Sequence, residues 1–239
     1  MGNASSLKHH IETAEKTGVL QLSKTNLREL PKDIVQIGQS IRTLDLNTNR
    51  IQSLGDNIGL FQNLKVLNLS HNKLRSLPAS IGHLSKLESL YLECNQLESL
   101  SENLDKLISL KTINLSGNRL KSFPEQLCSL KNLELIDLSQ NEISTLPSSI
   151  GDSCANEIIL NNNRLTTLND SLAKCPKLKV LRLDNNQLSL NAITRPILAE
   201  SKICLLSVEN NLFQLKELQD KDGYDDYIGR YTSTKRKLM

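Results

Sequence analysis

An asparagine that recurs about every 23 residues constrains the fold of this chain more than any other feature. Its successive spacings are 23, 23, 23, 23, 22, 23 and 25 residues, and leucines flank it at fixed offsets. Residues 64–84, LKVLNLSHNKLRSLPASIGHL, show the complete unit as LxxLxLxxNxLxxLPxxIxxL. A period of this size indicates a repeat architecture in which each unit packs against its neighbours. The recurring asparagines are Asn49, Asn72, Asn95, Asn118, Asn141, Asn163, Asn186 and Asn211.

The L-x-L part of each unit predicts a short strand. In Leu67-x-Leu69 the two leucines alternate with other residues, as in a strand with one buried face. Stacked units would form a parallel sheet with strands about 4.8 Å apart. The asparagine amide both donates and accepts, so it is expected to satisfy backbone groups of the turn that follows; Thr25 takes its place in the first unit. Proline favours an extended start to the return segment at Pro31, Pro78, Pro124 and Pro147.

This unit resembles the leucine-rich repeat, and its LPxxIxxL ending is similar to the intracellular repeats of the Ras-suppressor-like class. The resemblance extends over about residues 18–213. It implies an α/β fold, a curved horseshoe-shaped solenoid. Short parallel strands would line the concave face, and extended or short helical segments would form the convex side. Members of that class act through binding, so the resemblance also implies a protein that is not an enzyme.

The first six residues, MGNASS, match the Met-Gly-x-x-x-Ser pattern of N-myristoylation, with Gly2 as the acceptor. Small residues fill the pattern, and no acidic residue precedes Glu12. Residues 1–6 are therefore predicted to be a myristoylation signal, and the same start resembles that of a lipid-anchored, membrane-associated protein. The alternative is a polar start that carries a glycine at position 2 by chance.

The remaining segments predict caps around the repeats. Residues 7–17 predict a short capping helix, since Leu7, Ile11 and Ala14 fall on one helical face. Residues 18–213 would form about nine coils, with a helical turn between positions 190 and 201, where the Leu-Pro pair is missing. Residues 214–239 are predicted to be a C-terminal cap, with a short helix at 214–220 followed by a mobile polar tail. The basic end of that tail, Lys235 to Lys237, is a candidate second membrane contact.

Composition narrows the possible functions. A net charge of +3 is too small to indicate nucleic-acid binding, and no apolar run is long enough for a membrane-spanning helix. The five cysteines are scattered and odd in number, and the start has no secretory signal, which together favour the cytoplasmic side of a membrane. No CxxC, HExxH or P-loop spacing is present, so no metal, cofactor or small-molecule substrate is expected.

The concave face is the predicted binding surface, because solenoids usually bind partners there. The strand residues beside the leucines are polar, mildly acidic and different in each coil, which suits a protein partner of mixed charge. Tyrosine and arginine are enriched at interaction hot spots. The alternative is an ordinary solvated sheet face. The candidate protein-binding residues are Tyr91, Arg182, Asp45, Asp137, Glu93 and Asp184.

The sequence therefore predicts a monomeric, membrane-tethered, non-catalytic protein-interaction scaffold, whose protein partner it does not identify. Two alternatives stay open. The first is a regulatory subunit or scaffold for a small GTPase or phosphatase, which a stable stoichiometric complex would favour. The second is a soluble scaffold without lipid, which an unmodified N-terminus would favour.

Overall fold

The computed structural model describes residues 2–237, with side chains described from residue 7 to residue 235. Met1 of the predicted myristoylation signal and positions 238–239 of the predicted tail lie outside the described residues. The chain divides into two compact units, residues 1–118 and residues 119–239.

The first unit begins with helix α1 (Gly2–Thr17) and continues with five parallel strands in chain order. Each strand has only three residues, and the central one is fully buried while its neighbours are not, as the L-x-L pattern predicts. The register places Leu20 beside Leu44, and Leu67 beside Leu90. The strands are β1 (Val19–Gln21), β2 (Thr43–Asp45), β3 (Val66–Asn68), β4 (Ser89–Tyr91) and β5 (Thr112–Asn114).

Short 3₁₀ helices carry the chain between these strands. The residue before the helix is extended, for example Pro78 with φ −68° and ψ 155°, so the predicted effect of the Leu-Pro pair is confirmed here. Each helix buries at least one isoleucine or leucine. The first unit contains four of these helices, Lys32–Ile37, Asp56–Leu60, Ala79–His83 and Glu102–Lys106.

The described part of the second unit contains four parallel strands, followed by helix α2 (Tyr224–Lys237). Its strands are β6 (Leu135–Asp137), β7 (Glu157–Ile159), β8 (Val180–Arg182) and β9 (Leu205–Ser207). Its 3₁₀ helices are Glu125–Ser129, Ser148–Asp152, Asp170–Lys174, Leu190–Ala192 and Leu215–Asp220. A π-helix, Pro196–Glu200, occupies the long coil between β8 and β9, so the predicted helical turn in that coil is confirmed.

The N-terminal helix is longer than the sequence suggests. The predicted helix covers residues 7–17, whereas α1 begins at Gly2. No proline interrupts residues 2–6, so nothing in their backbone prevents the extension. The predicted apolar face packs as expected, since Ala14 is fully buried and Leu7 and Ile11 are partly buried.

Helix α2 replaces the mobile tail that the sequence predicts beyond residue 220. Two side chains explain the difference. The guanidinium group of Arg230 donates to the backbone carbonyls of Ile203 at 3.0 Å and Ala199 at 3.1 Å, and also to that of Leu198. The Tyr227 hydroxyl accepts a hydrogen bond from the Leu206 N–H at 3.1 Å. The polar composition of the tail therefore suggests mobility, although the tail forms a helix that covers the last strand. Among the described residues, no helix is both long and apolar enough to cross a membrane.

Candidate protein-interaction surface

The recurring asparagines hold the turns that follow the strands. The Asn72 amide nitrogen donates to the carbonyls of Leu46 and Leu69, both at 3.0 Å, and to that of Ser70 at 3.2 Å. Its side-chain oxygen accepts from the Ile51 N–H at 3.0 Å, so one amide joins two coils. The same arrangement recurs down both units, for example at Asn49, Asn95, Asn163, Asn186 and Asn211.

The residue directly before each asparagine adopts a left-handed backbone. Gly117 has φ +66°, and a Cβ there would lie 3.3 Å from the Cys94 sulfur. Elsewhere the position holds a residue with a side chain, at a cost of roughly 1–2 kcal/mol each. The adjacent asparagine bonds make the turn tolerable. These residues include Thr48, His71, Cys94, Gln140, Asn162, Asn185 and Asn210.

Two aligned side chains in the first unit bond their own turn. Asp45 accepts from the Asn47 N–H at 3.0 Å and from its side-chain amide at 2.8 Å. Asn68, aligned with Asp45 in the strand register, accepts from the Ser70 N–H at 3.0 Å. The candidate Asp45 is therefore already occupied by a local turn, which reduces what its carboxylate can offer a partner.

Tyr91 and Glu93 differ from their neighbours in this row. Tyr91 is aligned with Asn68 and is half-buried, and its hydroxyl has no hydrogen-bond partner among the described residues. The Glu93 Oε2 atom is buried, again with no partner in the described part of the chain. A buried polar atom without a partner is costly, so Glu93, with Tyr91 two residues before it, is the strongest polar candidate of the first unit.

The candidates of the second unit are all engaged with neighbouring side chains. Asp137 accepts from the Ser139 N–H at 2.9 Å. Asp184 accepts from the Ser207 hydroxyl at 2.6 Å and from the Glu209 N–H at 2.7 Å, which fixes it to the next coil. Arg182 forms a salt bridge of 2.8 Å with Glu157. A partner would have to compete with these contacts.

Two buried cysteines are packing residues rather than nucleophiles. Burial raises the pKa of the Cys128 thiol to about 11 and that of the Cys175 thiol to about 12. Cys175 also donates its S–H to the Ile150 carbonyl at 3.1 Å. A thiolate is the reactive form, so these thiols are inert near neutral pH. Within residues 2–237, no group of three or more potential ligands could hold a metal ion.

Comparison with known families agrees with this geometry. Residues 39–97 match the family model described as leucine rich repeat, and residues 108–150 match the model described as leucine rich repeats in two copies. The chain contains leucine-rich repeats. Proteins built from these repeats generally act as non-catalytic interaction modules.

Solved structures show the same fold. Internalin C2 from Listeria monocytogenes aligns with a TM-score of 0.71 at 19% identity, over 84% of this leucine-rich repeat protein and 92% of that chain. The TLR13–ssRNA13 complex gives a TM-score of 0.71 at 25% identity, over 86% of this chain and 31% of the other. GASSHO1/SCHENGEN3 from Arabidopsis thaliana, in complex with CASPARIAN STRIP INTEGRITY FACTOR 2, gives 0.64 at 26% identity, over 84% and 25%. The predicted fold class, an α/β leucine-rich-repeat solenoid, is confirmed.

Proposed function

We propose that this leucine-rich repeat protein is a non-catalytic interaction scaffold tethered to the cytoplasmic face of a membrane by a myristoyl group on Gly2. The observation that carries the tether is the MGNASS start, which matches the N-myristoylation pattern with Gly2 as the acceptor. Helix α1 is continuous from Gly2 to Thr17. The helix is anchored to the repeats through the fully buried Ala14. A helix of this length spans about 24 Å, so a lipid on Gly2 would be joined to the first coil by one element.

The interaction surface proposed for the first unit is centred on Tyr91 and Glu93. Tyr91 is the last residue of β4 and Glu93 lies two residues beyond it, and the buried Glu93 Oε2 atom has no partner among the described residues. A partner that places a hydrogen-bond donor beside Glu93 and an apolar group against the Tyr91 ring would use both. The relationship to the Ras-suppressor-like class is part of the proposal, supported by the LPxxIxxL units.

The tether is tested by the intact mass of the protein made in a eukaryotic cell. We expect loss of Met1 and the added mass of one myristoyl group. A Gly2→Ala variant should lack the lipid completely, since the transferase requires glycine at that position. An unmodified or acetylated Gly2 in the wild-type protein would leave a soluble scaffold in place of the tethered one.

The proposed surface is tested by substituting Tyr91. We expect Tyr91→Ala to weaken binding of a partner found by proximity labelling by about 2 kcal/mol, roughly thirtyfold, because it removes a hot-spot aromatic ring. Leu60→Ala is the matched control, since Leu60 is 46% exposed and lies on a return segment of the same unit. Equal affinities of the two variants in a titration would contradict the assignment.

A further inference from the structure

A cationic cleft lies where α1 meets the first coils. It has a volume of about 670 Å³, within the range of small-molecule sites. Four basic side chains line it, and Glu15 is its single acidic lining residue. The basic residues are Lys16, Arg42, Lys65 and Lys86.

The fold of the first unit forms this cleft. Gly18 ends α1 with a left-handed φ of +75°, and its N–H donates to the Ala14 carbonyl at 2.8 Å. Its own carbonyl accepts from the backbone N–H groups of Arg42 and Thr43, so the helix end is fixed to the second coil. A Cβ at position 18 would lie 3.2 Å from the Ser40 carbonyl oxygen, a tight contact that adds to the strain of the left-handed φ, so glycine is favoured there.

Three of the four cations are electrostatically uncompensated. Lys16, Arg42 and Lys86 form no salt bridge with any acidic side chain in the described part of the protein, and all three are exposed. Lys86 donates to the neutral Asn63 side-chain oxygen at 2.6 Å, which positions its charge without cancelling it.

The fourth cation, Lys65, is held by Glu88. Their salt bridge is 2.9 Å long, and Lys111 contacts the other carboxylate oxygen at 2.7 Å. Hydrogen bonds from Lys111 and Lys65 lower the pKa of Glu88 to about 2, so the carboxylate stays charged at neutral pH. The positive charge that Lys65 contributes to the cleft is therefore partly neutralised by Glu88.

Neutral hydrogen-bonding groups complete the lining. The side chains of Gln39, Ser40 and Asn63 lie between the cations, and an adjoining hollow of about 550 Å³ adds Gln62 and His83. Lysine and arginine surrounded by amide and hydroxyl groups suit an anion with several acceptor oxygens. An apolar ligand would find little to contact here.

We infer that this cleft binds the phosphorylated headgroup of an anionic membrane lipid, and that it is the second membrane contact beside the acyl group. The inference rests on the proposed tether at Gly2. One myristoyl chain gives only weak, reversible attachment, with a partition constant of about 10⁴ M⁻¹. The cleft lies at the opposite end of α1 from Gly2, so the acyl group and the cleft can contact one leaflet when the helix lies along it.

The test removes the three uncompensated cations and measures sedimentation with vesicles. Myristoylated and unacylated full-length proteins are mixed with phosphatidylcholine vesicles, with or without a phosphoinositide. The cleft variant combines Lys16→Gln, Arg42→Gln and Lys86→Gln. The control has the same change of charge at exposed positions outside the cleft lining, in Lys73→Gln, Arg75→Gln and Lys131→Gln.

We expect the cleft variant to lose at least tenfold in binding to phosphoinositide vesicles, since each cation near an anionic surface contributes about fivefold. The control variant should lose less than threefold in binding to the same vesicles. Neither variant should differ from the wild-type protein in binding to neutral vesicles. Equal losses in the two variants would overturn the inference. It would also be overturned if inorganic phosphate, at fixed ionic strength, competed equally with the vesicles for the cleft, because that result would point to a free phosphate ligand.

Releasing Lys65 provides the complementary test. Glu88→Gln removes the carboxylate that holds Lys65, and we expect it to raise binding to phosphoinositide vesicles about threefold. Glu98→Gln, which changes the net charge equally at an exposed position, should raise it less. No difference between these two variants would count against the cleft.

The two proposals fail separately. If mass spectrometry finds no lipid on Gly2, the tether fails, while the comparison of unacylated variants still tests the cleft. If the lipid is present and the cleft variant behaves as its control does, the inference is wrong and the tether stands.

Discussion

Replacing Asn72 by alanine is expected to lower the free energy of unfolding of the first unit by about 3–4 kcal/mol. The Asn72 side chain is only 7% exposed, and it satisfies the Ile51 N–H and the carbonyls of Leu46 and Leu69. Alanine leaves these buried groups without partners, and each such group costs roughly 1–3 kcal/mol. The loss is large against the total of about 5–15 kcal/mol for a typical domain.

Asn68, in the same coil, provides the matched control. Its side-chain oxygen accepts from the N–H and hydroxyl of Ser70, so alanine there leaves one backbone N–H without a partner, whereas Asn72→Ala leaves three backbone groups without one. Asn68→Ala should therefore cost about 1 kcal/mol. Urea unfolding followed by circular dichroism measures both losses. Similar losses of stability at the two positions would show that the asparagine recurs for a reason other than its buried hydrogen bonds.

The repeat pattern predicts the backbone well because it reports burial directly. The apolar residues of the L-x-L pattern, as in Leu67-x-Leu69, are buried in every coil except the last, where Leu206 is half-buried, and the three-residue strands follow from this pattern. The hydrogen bonds that the Asn72 side chain makes to two coils follow from the donors and acceptor of its amide. Both features depend on neighbours at a fixed sequence distance, so the sequence alone contains the information.

The state of the candidate binding residues depends on contacts that residue type does not reveal. The sequence places Asp45 and Tyr91 in one row, but it does not show that Asp45 already accepts from Asn47. The salt bridge of Arg182 with Glu157 joins β8 to β7, and residues 25 apart in the sequence form it. Such contacts are settled by side-chain conformation and not by the repeat.

The cationic cleft was missed although part of its signal is periodic. Arg42 and Lys65 are 23 residues apart, as are Asn63 and Lys86, so each pair occupies the same position in adjacent coils. Comparing charges at equivalent positions of adjacent coils would have revealed this basic stretch. The contribution of Lys16 could not be found in this way, because the orientation of α1 is set by packing of its apolar face and by the turn at Gly18.

Helix α2 is the element whose loss we expect to affect the second unit most. Arg230→Ala should lower the free energy of unfolding of that unit by about 2–4 kcal/mol, because hydrogen bonds from charged groups contribute roughly 1.5–3 kcal/mol. The variant leaves the carbonyls of Leu198, Ala199 and Ile203 without the guanidinium donor. We also expect amide hydrogen exchange to lose its protection throughout α2, since the helix has a polar composition and needs this contact to stay folded.

Two further variants separate the guanidinium contacts from the burial of α2 itself. Arg230→Lys keeps the charge but supplies one donor group in place of the planar fork, so it should recover only part of the lost stability. Tyr227→Phe keeps the ring buried and removes only the acceptor for the Leu206 N–H, with an expected cost of about 1 kcal/mol. If exchange protection in α2 survives Arg230→Ala, the helix is held by its aromatic packing, in which the Tyr227 and Tyr231 ring centroids lie 6.3 Å apart. Loss of protection confined to the Arg230 variants would instead show that three backbone carbonyls of the preceding coil keep a polar helix on the last strand.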